Sequence, residues 1–337
     1  MSKVIVPQAY HTRLDIYDMQ KAIGMVHTIF ERNLSHALHI SRVSAPLFLE
    51  ASTGLNDDLS GVERKVNFDI REDGRQCEVV QSLAKWKRQA LKDYNFYAGH
   101  GLYTDMNAIR REEELDNLHS VYVDQWDWEK VITRQQRNLD FLKETVVDIV
   151  GAICDTEDEL RQRFHELKTL PLKNRVVSFV TSQELEDMYP DLDGKGRENA
   201  YVNEHHTTCI LQIGDDLKSG KPHDMRAPDY DDWQLNCDIL FWSEILNCAI
   251  EISSMGIRVD AKSMDYQLNK SGHNERREFP FHNAILNDDM PLTIGGGIGQ
   301  SRLCMLLLGA AHIGEVQSAV WDEDTKKICK ENGIFIL

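Results

Sequence analysis

GLYTDMNAIRREEELDNLHSVYVDQWDWE, residues 101–129, consists of two strand-like runs, 101–109 and 119–129, around the charged loop RREEELDN. Side chains alternate faces along a strand, so Gln125, Asp127 and Glu129 share one face and Trp126 and Trp128 take the other. Two tryptophans require a buried face, so this strand is not simply a solvated edge. A row of one amide and two carboxylates opposite them suits recognition of an ammonium group or ribose hydroxyls. A charged strand face turned to water is the plainer alternative.

The surrounding chain extends the pattern. Met19, Ile23, Val26, Ile29 and Phe30 recur three or four apart within 16–37, which predicts an amphipathic helix. SRVSAPLFLEA (41–51) reads as a strand in which Pro46 forbids a central position. KVNFDI and QCEVVQS, split by REDGR, predict a hairpin, and WKRQALKDYN a short helix. A long helical segment is expected over about 131–168. RVVSFVTS and TTCILQIG read as strands either side of the helical QELEDMYPDLDGKGRENAYV. CDILFWSEIL and NCAIEISSMGIRVD predict another hairpin, followed by two amphipathic helices and GGGIGQSRLCMLLLGA. Strands do not alternate regularly with helices, and no repeat or Pro/Gly/Ser linker divides the chain. The expectation is therefore one α+β domain over 1–337, with a mainly antiparallel sheet flanked by helices.

The 337 residues carry 38 Lys+Arg against 55 Asp+Glu, a net charge of −17, which argues against a protein built to grip nucleic-acid backbones. Any phosphate site must be local. No apolar run has the length of a signal peptide or approaches the ~18 residues of a membrane helix, so a soluble, cytoplasmic protein with no membrane partner is expected. Seven scattered cysteines without a C-x-x-C pair read as small core residues. His205, His206 and Cys209 lack the spacing of a zinc site, since adjacent histidines diverge.

Four strings carry candidate chemistry. GGGIGQSRL (295–303) is glycine-rich and runs into an apolar helix, so its backbone and the free N–H groups of a helix start suit an anion, with Arg302 in the first turn adding charge. The alternative is a tight turn between sheet and helix. Asp238 in CDILFW and Glu251 in NCAIEISS put carboxylates in apolar strands, which need cation partners or Mg²⁺ shared with substrate phosphates. QSLAKWKRQ (81–89) opens a helix bearing Lys85, Lys87 and Arg88, in isolation a solvated basic face. HDMRAPDYDDW adds further carboxylates. Together these describe a site for ATP, Mg²⁺ and a small carboxylate, a combination that suggests adenylation.

Pro46 in SRVSAPLF, Arg110 in the strand–loop–strand that opened this reading, and GGGIGQSR resemble motifs 1, 2 and 3 of class II aminoacyl-tRNA synthetase catalytic domains. VVQSLAKWKRQ and EISSMGIR are similar to the aspartyl branch. HSVYVDQWDWE, SQELEDMYPDLDGKGRE, RAPDYDDW, SSMGIRVDA and TIGGGIGQSRLCMLLL resemble the ammonia-dependent (A type) asparagine synthetases, from about residue 8 to 321.

That resemblance implies a homodimer that activates L-aspartate with ATP as β-aspartyl-AMP and lets ammonia displace AMP. It implies that Lys87 and Arg258 hold and polarise the aspartate carboxylate, and that Arg110 and Arg302 hold the α-phosphate beside Gly297 and Gly299. Asp238 and Glu251 would take Mg²⁺. Ser82, Gln125, Asp127 and Asp231 would fix the amino-acid head or the attacking ammonia, and Asp57 falls in the active-site loop. Asp231 or Asp57 is then the candidate for taking the ammonia proton. No anticodon-binding segment is recognisable, which counts against charging tRNA. Ser2 follows Met1, so the N-terminal cysteine of glutamine-dependent synthetases is missing and free ammonia is the expected donor. An aspartyl-tRNA synthetase paralogue and a non-catalytic synthetase-like module are the alternatives.

Overall fold

The computed structural model describes residues 4–57, 59 and 63–337. Ser2, and most of the loop that follows Asp57, lie outside the described residues. The strands are β1 (Ile40–Arg42), β2 (Phe48–Glu50), β3 (Asn67–Asp69), β4 (Gln76–Val79), β5 (Gly101–Ile109), β6 (Tyr122–Val131), β7 (Ser178–Thr181), β8 (Thr207–Leu211), β9 (Asp231–Ser243), β10 (Cys248–Arg258) and β11 (Thr293–Gly299). The helices are α1 (Ile16–Leu38), α2 (Ala84–Asp93), α3 (Leu139–Arg163), α4 (Ser182–Met188), α5 (Gly194–His205), α6 (Ala261–Ser271), α7 (Pro280–Leu286), α8 (Gln300–Leu308) and α9 (Glu323–Glu331).

Eight strands form one sheet in the order β1-β5-β6-β11-β10-β9-β8-β7, and β2-β4-β3 form a small second sheet. The large sheet is antiparallel except at its two edges, where β1 pairs with β5 and β7 with β8 in parallel. Helices α1 and α8 cover one face of its centre. Asp15 caps α1 by accepting from the Asp18 N–H, and the stripe Met19, Ala22, Val26, Ile29, Phe30 and Leu34 is buried. Phe30 meets Trp126 at a ring-centroid distance of 4.7 Å, and the Trp126 Nε1–H donates to Glu31 at 3.2 Å. Trp126 and Trp128 are both fully buried, so the tryptophan face of β6 packs on the core.

Three expectations change, and a fourth changes in part. The helix expected from about 131 begins at Leu139, because β6 continues to Val131 in register with Thr293 and a single 3-10 turn, Arg134–Gln136, intervenes. SRVSAPLFLEA is two strands in different sheets, with Pro46 in the break between them. QELEDMYPDLDGKGRENAYV is two helices, parted at Pro190. The glycine-rich string does lead into the expected helix, since α8 starts at Gln300 with Gly299 as its N-cap and Arg302 in its first turn, but Gly295–Gly299 before it lie within β11, between β6 and β10, and not in a tight turn. No helix among the described residues is long and apolar enough to cross a membrane, and six of the seven cysteines are buried.

Candidate active site

The face of β6 opposite the tryptophans is buried as well. Helix α2 packs over it, and Lys85, Lys87 and Arg88 are almost fully enclosed rather than forming a solvated basic face. Each buried cation has a reason to be there. Lys87 Nζ lies 3.0 Å from Asp127 Oδ2 and donates to the Gly296 carbonyl at 2.8 Å. Arg88 donates to the Val259 and Pro291 carbonyls. Lys85 pairs with Asp229, which also accepts from Arg276 and His282.

Arg258, at the end of β10, is held between two carboxylates. Its Nε donates to Glu129 at 3.0 Å and its Nη2 at 2.7 Å, while Nη1 pairs with Asp231. Thr293 adds a hydrogen bond to Glu129 at 2.7 Å. Burial would discharge the guanidinium, and Asp231 and Glu129 overcome this and raise its pKa. Burial pushes the Lys87 ammonium down, opposed by Asp127. The glycines of β11 make room for this layer. A Cβ at Gly295 would lie 1.9 Å from Glu129 Oε2, and one at Gly297 would lie 2.3 Å from Gln125 Oε1.

Two openings meet over these strands. A cavity of about 90 Å³ is walled by Asp57, Ser82, Lys87, Asp127, Asp231 and Arg258. A cleft of about 420 Å³ is walled by Arg226, Glu251, Gly299 and Arg302, with Asp124, Asp224 and other polar groups. Arg110, Gln125, Tyr230, Ser254 and Gly297 border both. The two walls thus hold every residue that the resemblance assigns to the site except Asp238, which is on neither. Asp238 pairs instead with Arg226, which is on the cleft wall and also meets Asp224 at 2.9 Å.

Around Asp238 the donor set fits a divalent cation. Its Oδ1 is buried without a hydrogen-bond partner among the described residues. Burial pushes its carboxyl up to about 8 against the pull of Arg226, and Glu251 adds to the rise. Two crowded carboxylates with an orphaned oxygen, one of them on the cleft wall, suit Mg²⁺ completed by phosphate and water oxygens. His205, His206 and Cys209 do not gather: Cys209 is buried in β8, whereas His205 ends α5 and stacks on Tyr201.

Two participants were not named in the sequence, Arg226 and Asp229, and Glu129 was named for its strand face but not for its partner. Glu129, Arg226 and Asp229 act through partners 129, 12 and 53 positions away, to Arg258, Asp238 and His282. Arg226 and Asp229 both lie inside RAPDYDDW, where the local signal was a lone cation among carboxylates.

A similar main-chain frame occurs in solved structures. Entamoeba histolytica asparaginyl-tRNA synthetase, in complex with asparaginyl-adenylate, matches with a TM-score of 0.66 at 14% identity, over 90% of this chain and 66% of that one. Aspartyl-tRNA synthetase from the same organism matches at 0.60 and 15%, over 91% of this chain and 58% of that one. These likenesses establish a class II aminoacyl-tRNA synthetase fold, and the chain spans about two thirds or less of those enzymes. In sequence, aspartate–ammonia ligases of Bacillus cereus (strain AH187) and Bacillus thuringiensis (strain Al Hakam) are each 54% identical over 328 residues, 97% of this chain and 99% of theirs. The family model for aspartate-ammonia ligase matches residues 17–333, and with that identity along the whole chain it places this protein in the aspartate-ammonia ligase family.

Proposed function

We propose that the chain joins ammonia to the side-chain carboxyl of L-aspartate at the expense of ATP, through β-aspartyl-AMP, releasing AMP, pyrophosphate and L-asparagine. The observation that carries this reading is the junction of the two openings. A nucleotide in the larger cleft and an amino acid in the smaller cavity meet at Arg110, Gln125 and Gly297. A tRNA-charging paralogue and a silent module are not favoured by 54% identity along 97% of the chain.

In the first half-reaction a carboxylate must approach a polyphosphate of like charge. Lys87 and Arg258 hold the aspartate side chain; both are already anchored by Asp127, Glu129 and Asp231, so their geometry is set before substrate arrives. Arg110 and Arg302 face the α-phosphate and offset charge as it builds in the transition state. Gly297 and Gly299 let the nucleotide approach the sheet. Asp238 and Glu251 would hold Mg²⁺, which when bound neutralises phosphate charge. Ser82, Gln125 and Asp127 orient the amino-acid head, and the Asp127 Oδ1 left unpartnered among the described residues suits its ammonium group. In the second half-reaction ammonia attacks the activated carboxyl and AMP departs.

Residues 1–337 act as one catalytic domain, and the enzyme is a cytoplasmic homodimer; light scattering at micromolar concentration tests the dimer. The reading as a whole is tested by following AMP and pyrophosphate from ATP and aspartate, with ammonium, with glutamine and with neither. Asparagine should form with ammonium alone. Equal activity with glutamine would refute the choice of donor, and absence of aspartate-dependent ATP–pyrophosphate exchange would refute the adenylate.

A further inference from the structure

Arg302 is aimed by two main-chain carbonyls, that of Glu251 at 3.0 Å and that of Leu118 at 3.4 Å. Glu251 belongs to β10, in the middle of the large sheet, so its carbonyl is fixed by strand pairing. Leu118 lies between β5 and β6 in a segment without a ladder, and its position needs another cause. Part of the cause is local: Asp116 Oδ1 accepts from the N–H groups of Leu118 and His119 at 2.7 and 2.9 Å, which curls the chain there.

The rest comes through Asn117. It is 4% exposed and stands on neither wall of the site. Its Oδ1 accepts from the Ile5 N–H at 2.7 Å, and its Nδ2 donates to the Ile5 carbonyl at 2.8 Å and to the Ala311 carbonyl at 2.7 Å. Its own carbonyl accepts from the Ile313 N–H at 2.8 Å. An amide is the side-chain group that offers one acceptor and two donors at once, as these partners require. The same parts of the chain are fastened again at Tyr10, whose O–H donates to Glu315 at 2.9 Å and accepts from the Ala311 N–H at 3.1 Å. Leu118 and Ile313, on either side of Asn117, are both on the wall of the larger cleft.

We infer that Asn117 is a positioning residue for the nucleotide half of the site, clasping Ile5, the turn at Leu118 and the segment after α8 so that the Leu118 carbonyl aims Arg302. This rests on the function proposed above, which puts ATP in that cleft. Without the clasp the Leu118 carbonyl drifts from Arg302 Nε, and the guanidinium keeps a single anchor. A cation out of line stabilises less of the charge that builds on the phosphate. The aspartate cavity is insulated from this change, because Lys87 and Arg258 are held by Asp127, Glu129 and Asp231. A merely structural role for Asn117 would lower stability and affect both substrates alike.

The test compares Asn117→Ala, Ile5→Pro and Ile5→Ala in the full-length enzyme. The Ile5 side chain is 59% exposed, so Ile5→Pro removes the N–H that Asn117 accepts and loses little burial. Thermal unfolding, calorimetric titration with ATP and Mg²⁺, and asparagine formation with ATP and aspartate varied in turn are the readouts. Asn117→Ala should lower kcat/KM for ATP about tenfold or more and leave KM for aspartate nearly unchanged. Ile5→Pro should shift the same parameters to a smaller extent, and Ile5→Ala should match the unaltered enzyme. In an Arg302→Ala background, Asn117→Ala should cost little more, since the group it positions is gone. Equal changes for both substrates, unchanged kinetics, or full additivity with Arg302→Ala would overturn the inference. If Asn117→Ala does not fold, Ile5→Pro carries the same comparison. An unaltered enzyme that binds ATP and makes no asparagine would refute the proposed reaction instead, and the clasp is then judged by the ATP affinity of the variants.

Discussion

Lys87 on α2 and Asp127 on β6 form an ion pair of 3.0 Å with side chains only 1% and 3% exposed. The pair fastens the helix that caps the amino-acid cavity to the strand that floors it. Removing one partner leaves the other nearly fully buried without its counter-charge, which costs about 3–5 kcal/mol. Lys87→Met and Asp127→Leu should therefore each lower the denaturation midpoint strongly. The double variant should recover most of the loss and still show no pyrophosphate exchange. A double variant as unstable as the sum of the two would show that the pair is not the source of the cost.

Arg302 stands in a different environment. Its guanidinium donates only to carbonyls, Glu251 O at 3.0 Å and Leu118 O at 3.4 Å, so no carboxylate cancels its charge among the described residues. Arg302→Ala should leave folding nearly intact and lower kcat/KM by on the order of a hundredfold, about 3 kcal/mol of transition-state stabilisation. Aspartate-dependent pyrophosphate exchange should fail with it. A variant that exchanges normally but makes no asparagine would move Arg302 to the ammonia half-reaction.

Histidine 312 gives the stability a pH signature. It is fully buried beside Trp321, accepts from the Gly314 N–H through Nδ1, and is pushed down to about 4 by burial, against Asp116 and Asp322. An unfolded histidine titrates near 6.5, so the unfolded chain takes up the proton first. The contribution is complete above about 6.5 and is lost as pH falls towards 4, at most about 3 kcal/mol. In urea unfolding, the stability margin of the unaltered protein over His312→Asn should shrink over that range. A margin independent of pH would show that His312 is not neutral in the fold.

The elements legible in the sequence were those whose signal is local. The spacing of Met19, Val26, Ile29 and Phe30 and the alternation through Trp126 and Trp128 depend on neighbours a few positions away, and both match the fold. The buried cations of α2 were not legible, because what allows their burial is distant in sequence: a carboxylate of β6 for Lys87, Asp229 for Lys85, and the Val259 and Pro291 carbonyls for Arg88. The extra residues of β6 were hidden similarly, since Val131 is a strand residue through its pairing with Thr293. Within the site, the residue types were legible and their prior engagement was not: Arg258 looks free in GIRVD and is held by Glu129 and Asp231.

The glycine run of β11 shows the same limit and yields the sharpest contrast. Strand propensity argues against three consecutive glycines, and only the neighbouring strands explain them. Gly296 and Gly297 point to opposite faces. A Cβ at Gly296 would lie 2.5 Å from Met255 Cβ and 2.8 Å from the Ser254 carbonyl, groups fixed by the backbone of β10. A Cβ at Gly297 would lie 2.3 Å from Gln125 Oε1 and 2.8 Å from Asp127 Oδ1, the far ends of side chains that can turn aside into the cavity. Gly296→Ala should therefore separate β10 from β11 and destabilise the protein by about 1–3 kcal/mol. Gly297→Ala should keep most of the stability and displace the groups proposed to orient aspartate, raising KM for aspartate in the exchange assay and lowering kcat. Measuring both variants by thermal unfolding and exchange kinetics decides the matter. Equal stability losses would show that the Gln125 layer is as rigid as the backbone of β10.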